Sequence, residues 1–408
     1  MILTRSERQR EGIKKWIAAD CTASLVYATG FGKTRTALMA IALVLKHNPN
    51  ANILVSVPTK YLKDQWLEKI EEQGFTDNVE VIVVNTIIKH SYDVDLLILD
   101  EAHRHASIQL SNIFNCVKYK MILCLTATMK RLDGREAIIE THAPICDEIT
   151  MDEAIKNGWI SPVKNYLVLL EVDLTKYKEL DRTFNSYFSY FNWDFNTAIN
   201  CLQNWKFRNQ YAKQIGSDPK SVLRLSAQWM KALQARKHFI ESHPKKIEVC
   251  QKIVDARLQS KGLMFCPTIK FAEAVKRGTV LHSQQKAKEN AKVIEEFNNA
   301  QSGWLSTSKM LDEGADIQGL TVGIKMNVNS SKIKSTQQQG RICRFSPGKE
   351  AEMFTLVIKG TQEVKWFNNS TLSNYIVIDS EEKLNKVLNG EEIVLREHTP
   401  NEDLQFRF

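Results

Sequence analysis

Short apolar runs rich in β-branched residues recur through the first part of the chain, at 25–28, 53–57, 79–84, 96–99 and 121–125. Between them, over 33–46 and 60–72, apolar positions fall three and four apart, the helical period. Short strands of the fully buried type alternating with helices predict a parallel sheet covered on both faces. From about 173 to 243 the β-type runs vanish and the pattern is helical throughout. The alternation resumes with strands predicted at 263–265, 279–281, 304–306, 322–326 and 354–358, and helices at 271–277, 284–298 and 336–344. The expected fold class is α/β. Two parallel-sheet domains lie in tandem, 1–172 and 244–360, with an all-helical insertion over 173–243 between them. A tail over 361–408 holds one clear helical pattern, at 381–388.

Composition narrows the class. With 408 residues, 43% hydrophobic and 25% charged, the chain has material for two full cores, which excludes disordered, collagen-like and disulfide-scaffold proteins. The first ten residues are polar, so no secretory leader is expected. The longest apolar stretch, 37–45, is about half a membrane span, so no transmembrane helix and no membrane partner are expected. The eight cysteines form no CxxC pair and no Cys/His cluster with zinc spacing. Buried free thiols in a cytoplasmic setting are predicted, in the nucleoid or, for a viral protein, the host-cell cytoplasm.

The net charge of +8 becomes informative once it is divided along the chain. Residues 175–260 hold 15 Lys/Arg against 7 Asp/Glu, so the rest of the chain is neutral on balance. The same stretch holds 13 of the 35 aromatic residues. Two readings stay open. The aromatics are a bundle core beneath a solvated cationic face, or part of the surface is a nucleic-acid footprint with cations for phosphate and rings for stacking.

The first apolar run leads directly into Ala28-Thr29-Gly30-Phe31-Gly32-Lys33-Thr34, followed by Arg35 and a strong helical pattern. Strand, glycine-bearing loop and helix in this order suit a nucleoside triphosphate. The loop amides curl around phosphate, Lys33 reaches the β- and γ-phosphates, and Thr34 offers a hydroxyl to Mg²⁺. The run 96–99 ends on Asp100-Glu101-Ala102-His103. A carboxylate at the C-terminal end of a buried parallel strand lies on the ligand edge of the sheet. Asp100 is expected to hold Mg²⁺, largely through water, and Glu101 to activate the attacking water.

Together these segments resemble a superfamily 2 helicase of the DEAH-box type, and within it the XPB-like and phage UvsW-like DNA helicases. The resemblance spans about residues 3–360 and implies two RecA-like domains, ATP and Mg²⁺ as cofactors, and DNA as partner, as single strand, fork or junction. Gln9 occupies the place of the adenine-reading glutamine, without the usual neighbouring Pro-Tyr. Val57-Pro58-Thr59 and Asn85-Thr86 are similar to backbone-gripping segments, which implies strand contacts at Pro58, Thr59 and Thr86 that carry no base information. Leu125-Thr126-Ala127-Thr128 matches the motif that, with His103, couples the nucleotide site to the strand.

In the second domain Thr268 and Thr307 fall at further strand-contact positions, and Gly314 and Asp316 at nucleotide contacts. Gln337-Gln338-Gln339-Gly340-Arg341-Ile342-Cys343-Arg344 fits Q-x-x-G-R-x-x-R. Gln337 is implied as a coupling residue and Arg341 and Arg344 as arginine fingers, three apart on one helix face. The implied activity is a nucleic-acid-stimulated ATPase that moves on and unwinds or branch-migrates DNA. A duplex translocase without strand separation and an RNA helicase stay open. A non-hydrolysing binding module is the least expected, because every catalytic position is filled. Related phage helicases can carry a further N-terminal domain that this sequence lacks, so a protein partner for substrate targeting is also expected.

Overall fold

A computed structural model describes residues 3–130, 134–282, 284–308, 317–328, 338, 340, 342, 350–370, 374–391 and 396–399. The first sheet comprises β1 Thr22–Tyr27, β2 Ile53–Val57, β3 Val79–Val83, β4 Tyr92–Asp100, β5 Val117–Thr126 and β6 Ile145–Ile149. Its order is β3-β2-β4-β5-β1-β6, and every pairing is parallel. Helices Arg5–Ala18, Lys33–His47 and Lys60–Glu72 cover it, with Trp16 and Trp66 buried against the strands. Parallel topology brings the C-terminal ends of β1, β2, β4 and β5 to one edge, where loops can meet a ligand.

The second sheet comprises β7 Val163–Leu170, β8 Lys261–Phe265, β9 Gly278–His282, β10 Gly303–Ser308, β11 Val322–Lys325, β12 Ala351–Ile358, β13 Tyr375–Ile378 and β14 Glu397–His398. Its order is β14-β13-β7-β12-β11-β8-β10-β9, parallel except for the short β13–β14 pairing.

Two expected boundaries move. β7 pairs with β12 over eight residues, from Val163↔Ala351 to Leu170↔Ile358, so the chain enters the second sheet before 163 and not at 172. No strand was expected over 163–170, and the pattern of such a run reports burial without saying which sheet buries it. The expected tail is likewise part of the second domain. β13 pairs with β7, and the helix Glu381–Leu388 packs Leu384 and Val387 into the same core as Tyr166 and Phe354.

It follows that the helical insertion leaves and rejoins the second domain. Its helices are Thr175–Ser189, Phe195–Gln203, Trp205–Gln214 and Pro219–Glu241, and Asp194, Asn204 and Asp218 cap the last three. Phe184, Phe191, Tyr211 and Trp229 form its buried core. Tyr190, Trp193, Phe195 and Trp205 remain at least half exposed. The aromatic content therefore divides between the two readings.

Candidate nucleotide and strand-binding site

The loop after β1 turns through Gly30 (φ +90°) and Gly32 (φ +101°), a region that penalises any Cβ. Gly32 stands at the N-cap of Lys33–His47 without a side-chain cap, and the first turn carries no acid. The helix N-terminus thus presents its amides and Lys33 to an anion.

Two side chains four apart on the first helix hold the loop from behind. Arg5 donates to the carbonyls of Phe31 and Gly30, both at 2.8 Å. Gln9 donates through Nε2 to those of Phe31 and Gly32 at 3.0 and 3.3 Å. Gln9 is fully buried, and its Oε1 has no partner among the described residues. Phe31 corrects an expectation. Its ring is buried edge-on to Tyr27 and Trp159 and its amide is taken by Ala28, so it anchors the loop instead of touching a nucleotide. Arg35 is exposed and donates to Ser6 Oγ at 3.2 Å.

The helix is pinned by Asp147, which accepts from Arg8 at 2.6 and 2.8 Å, Lys15 at 2.6 Å and Tyr27 at 2.8 Å. Burial alone would raise this carboxyl, but the donors from Arg8, Lys15 and Tyr27 together hold it below the ordinary value.

β4 delivers Asp100 to the same edge. Trp66 Nε1 donates to one carboxylate oxygen and the Glu101 amide to the other, each at 2.9 Å. Burial first, and then the Glu101 charge, push the Asp100 carboxyl up to about 6, against the pull of Lys33. Glu101 sits at φ +49°, a left-handed conformation that is strained for a side chain of its kind.

His103, buried behind it, places Nδ1 2.9 Å from Thr126 Oγ1 and 3.5 Å from Glu101 Oε2. Thr126 in turn donates to the Thr128 carbonyl at 2.8 Å. His105, on the same turn, lies 2.9 Å from Ser56 Oγ of β2 through Nε2. Burial, then the neighbouring His103, push His105 down to about 4, so it is a neutral ring near pH 7.

Known families match both halves of this arrangement. A family model described as type III restriction enzyme, res subunit, matches residues 3–92 and 85–131. One described as helicase conserved C-terminal domain matches residues 245–346. A protein named DNA 3'-5' translocase XPB2, from Sulfurisphaera tokodaii, is 24% identical over 380 residues, covering 88% of this chain and 82% of its own. By these matches the chain is similar to superfamily 2 helicases, and among them to the XPB translocases.

Solved structures share its fold. The Pyrococcus furiosus Hef helicase domain has TM-score 0.54 at 16% identity, covering 90% of this chain and 99% of that one. Dbp5 of S. cerevisiae bound to RNA and ADP BeF3 has TM-score 0.59 at 13% identity, covering 94% and 92%.

In this chain the second domain meets the phosphate loop directly. A Cβ built on Gly340 would overlap the Thr29 side chain, so glycine is required for that approach. The Thr29 hydroxyl is buried there without a partner among the described residues. Ile342, two residues on, is buried in the second core. The expected sites Gly314, Asp316, Gln337, Arg341 and Arg344 lie outside the described residues.

The strand-contact positions behave differently from one another. Thr59 and Thr268 occupy equivalent places after β2 and β8 as N-caps, accepting from Leu62 N and Phe271 N, each at 3.3 Å. Pro58 is half-buried and Thr86 exposed. Thr307 is only 2% exposed on β10, and its hydroxyl has no partner among the described residues.

Sequence reasoning missed Arg5, His105 and the bond from Trp66 to Asp100. The four-residue spacing of Arg5 and Gln9 was the available signal for the first. Nothing local marks the indole as a partner of Asp100.

Proposed function

We propose that this protein hydrolyses ATP with Mg²⁺ at the phosphate loop, faster when nucleic acid is bound. The cycle drives movement along DNA and separation or branch migration of its strands. The single observation behind this reading is the contact of Gly340 with Thr29, a second-domain element packed on the loop that receives phosphate.

The residues present fit the expected ligands. Lys33 and the helix amides suit the β- and γ-phosphates, and the orphaned Gln9 Oε1 suits the exocyclic amine of adenine. The Thr34 hydroxyl and the buried Asp100 carboxylate are hard oxygen donors of the kind Mg²⁺ takes. Bound there, Mg²⁺ would neutralise phosphate charge. Trp66 fixes which way Asp100 faces, and Glu101 takes a proton from the attacking water. Arg341 and Arg344 supply the positive charge of the second domain, so hydrolysis waits on domain closure. His103 and Thr126 join that event to the strand-facing loops.

Pro58, Thr59 and Thr86 in one domain and Thr268 in the other grip the sugar-phosphate backbone without reading bases. DNA is the polymer in this reading because the relative from Sulfurisphaera tokodaii is named a DNA translocase. The exposed Tyr190, Trp193, Phe195 and Trp205, with Lys206 beside Trp205, offer stacking surfaces on the insertion for a fork or junction strand. Arg208 is excluded from that surface, since it donates to the carbonyls of Cys201 and Leu202 at a helix end. Substrate targeting by a protein partner completes the proposal. No described helix is long and apolar enough to cross a membrane.

Phosphate release measured with and without single-stranded DNA tests the reading. Turnover that rises with DNA is expected, and no turnover by the wild type would overturn it.

A further inference from the structure

Ser56 and His105 form a fully buried polar pair in an apolar setting. Ser56 shares a face of β2 with Leu54 and is in register with Leu99 of β4. Both leucines belong to a hydrophobic core that also holds Ala102 and Ala106, the neighbours of the histidine's own turn. Burying two polar groups is costly, and one hydrogen bond between them returns little net stability. Two apolar side chains of similar shape would serve the core as well.

What the pair does hold is the turn after β4, a strand that lies between β2 and β5 in the sheet. Past Asp100 the chain goes through Glu101 in its left-handed conformation and into the tight turn Ala102–Arg104. Arg104 N donates to the Glu101 carbonyl and His105 N to that of Ala102, each at 2.9 Å. Two side chains of this turn reach opposite neighbours. His103 meets Thr126 at the end of β5, and His105 meets Ser56 on β2. A turn held on one side can pivot about that contact. Held on both flanks it cannot, and Glu101, at its head, is kept in a backbone conformation it would otherwise leave.

We infer that His105 and Ser56 are positioning residues for Glu101: their bond fixes the turn on its β2 flank, so that the carboxylate keeps its aim at the water that attacks the nucleotide. The inference rests on the proposed reading of Glu101 as the base of an ATPase. Both residues are fully buried, so they act through Glu101 and not on a ligand. Loss of the bond therefore slows the chemical step and leaves nucleotide binding alone.

The test is ATP turnover by the full chain with saturating oligo-dT, alongside binding of a fluorescent ATP analogue and thermal melting. Ser56→Ala, the mildest change, is expected to lower kcat about three- to tenfold, the span of one neutral hydrogen bond. Its Kd for the nucleotide should stay within about twofold of wild type. His105→Gln, whose amide nitrogen can stand in for Nε2, is expected to keep more of the rate than His105→Leu.

The double variant Ser56→Ala with His105→Leu separates positioning from folding. With both partners apolar no polar group is stranded, so it is expected to melt within about ten degrees of wild type. Its kcat should match that of Ser56→Ala, because one bond cannot be lost twice. A Ser56→Ala kcat within about twofold of wild type, a loss seen in Kd instead, a double variant with the wild-type rate, or His105→Gln no faster than His105→Leu would overturn the inference. Failure of the underlying reading looks different. Either the wild type does not turn over ATP, or Glu101→Gln does so at the wild-type rate, and there is then no base to position.

Discussion

Trp66 and the Glu101 amide take one oxygen each of Asp100, which fixes the carboxylate plane at the end of β4. A hydrogen bond to a charged group is worth about 1.5–3 kcal/mol, so Trp66→Phe is expected to lower kcat on the order of tenfold or more. Phe is smaller than the buried indole, so the melting temperature should fall as well; phosphate release measured at a temperature where both proteins are folded, alongside thermal melting, separates the two effects. His105 makes a prediction in pH. Its folded value near 4 lies below the unfolded 6.5, so the unfolded chain binds the extra proton between them. The stability it contributes is complete above about pH 6.5 and declines as pH falls toward 4. At about pH 5.5 the loss is on the order of 1 kcal/mol, which His105→Gln should remove in paired melts at pH 7 and pH 5.5. The phosphate-loop and acidic residues were legible because their order along the chain is itself chemical. Trp66 was legible only as core, because periodicity reports that a side chain is buried and says nothing of an acid 34 positions away.

At the scale of elements, the first helix is the brace of the nucleotide site. Asp147 on β6 holds it through Arg8 and Lys15 and ties it to Tyr27 of β1, and Arg5 and Gln9 carry that fixity into the loop. Asp147→Asn leaves buried donors facing a neutral group and is expected to cost about 3 kcal/mol, read as a lowered melting temperature. Gly340→Ala makes the matching prediction for the second domain. The added Cβ meets Thr29, so closure and kcat should suffer while isolated folding does not. A kcat unchanged from wild type would refute that role. The elements themselves were mostly legible, since short buried strands and amphipathic helices differ in period. Their assignment to sheets was not. β7 joins the second sheet through hydrogen bonds to β12 and β13, partners that lie roughly 180 and 210 residues away and leave no local trace.

For the whole molecule, most of the charge surplus first seen as +8 lies in a helical bundle rooted in the second domain. Its aromatics split between a packed core and four exposed rings, a division that only packing decides. The bundle stands where the chain leaves β7, and the contact of Gly340 with Thr29 brings the same domain onto the phosphate loop. ATP turnover and strand movement are therefore expected to be one cycle. The direct test is strand displacement from a forked DNA duplex, wild type against Glu101→Gln, with ATP and Mg²⁺. The account predicts displacement by the wild type and none by Glu101→Gln, with fork binding retained by both. Displacement by Glu101→Gln at the wild-type rate, or a wild type that hydrolyses ATP and leaves the fork paired, would contradict it.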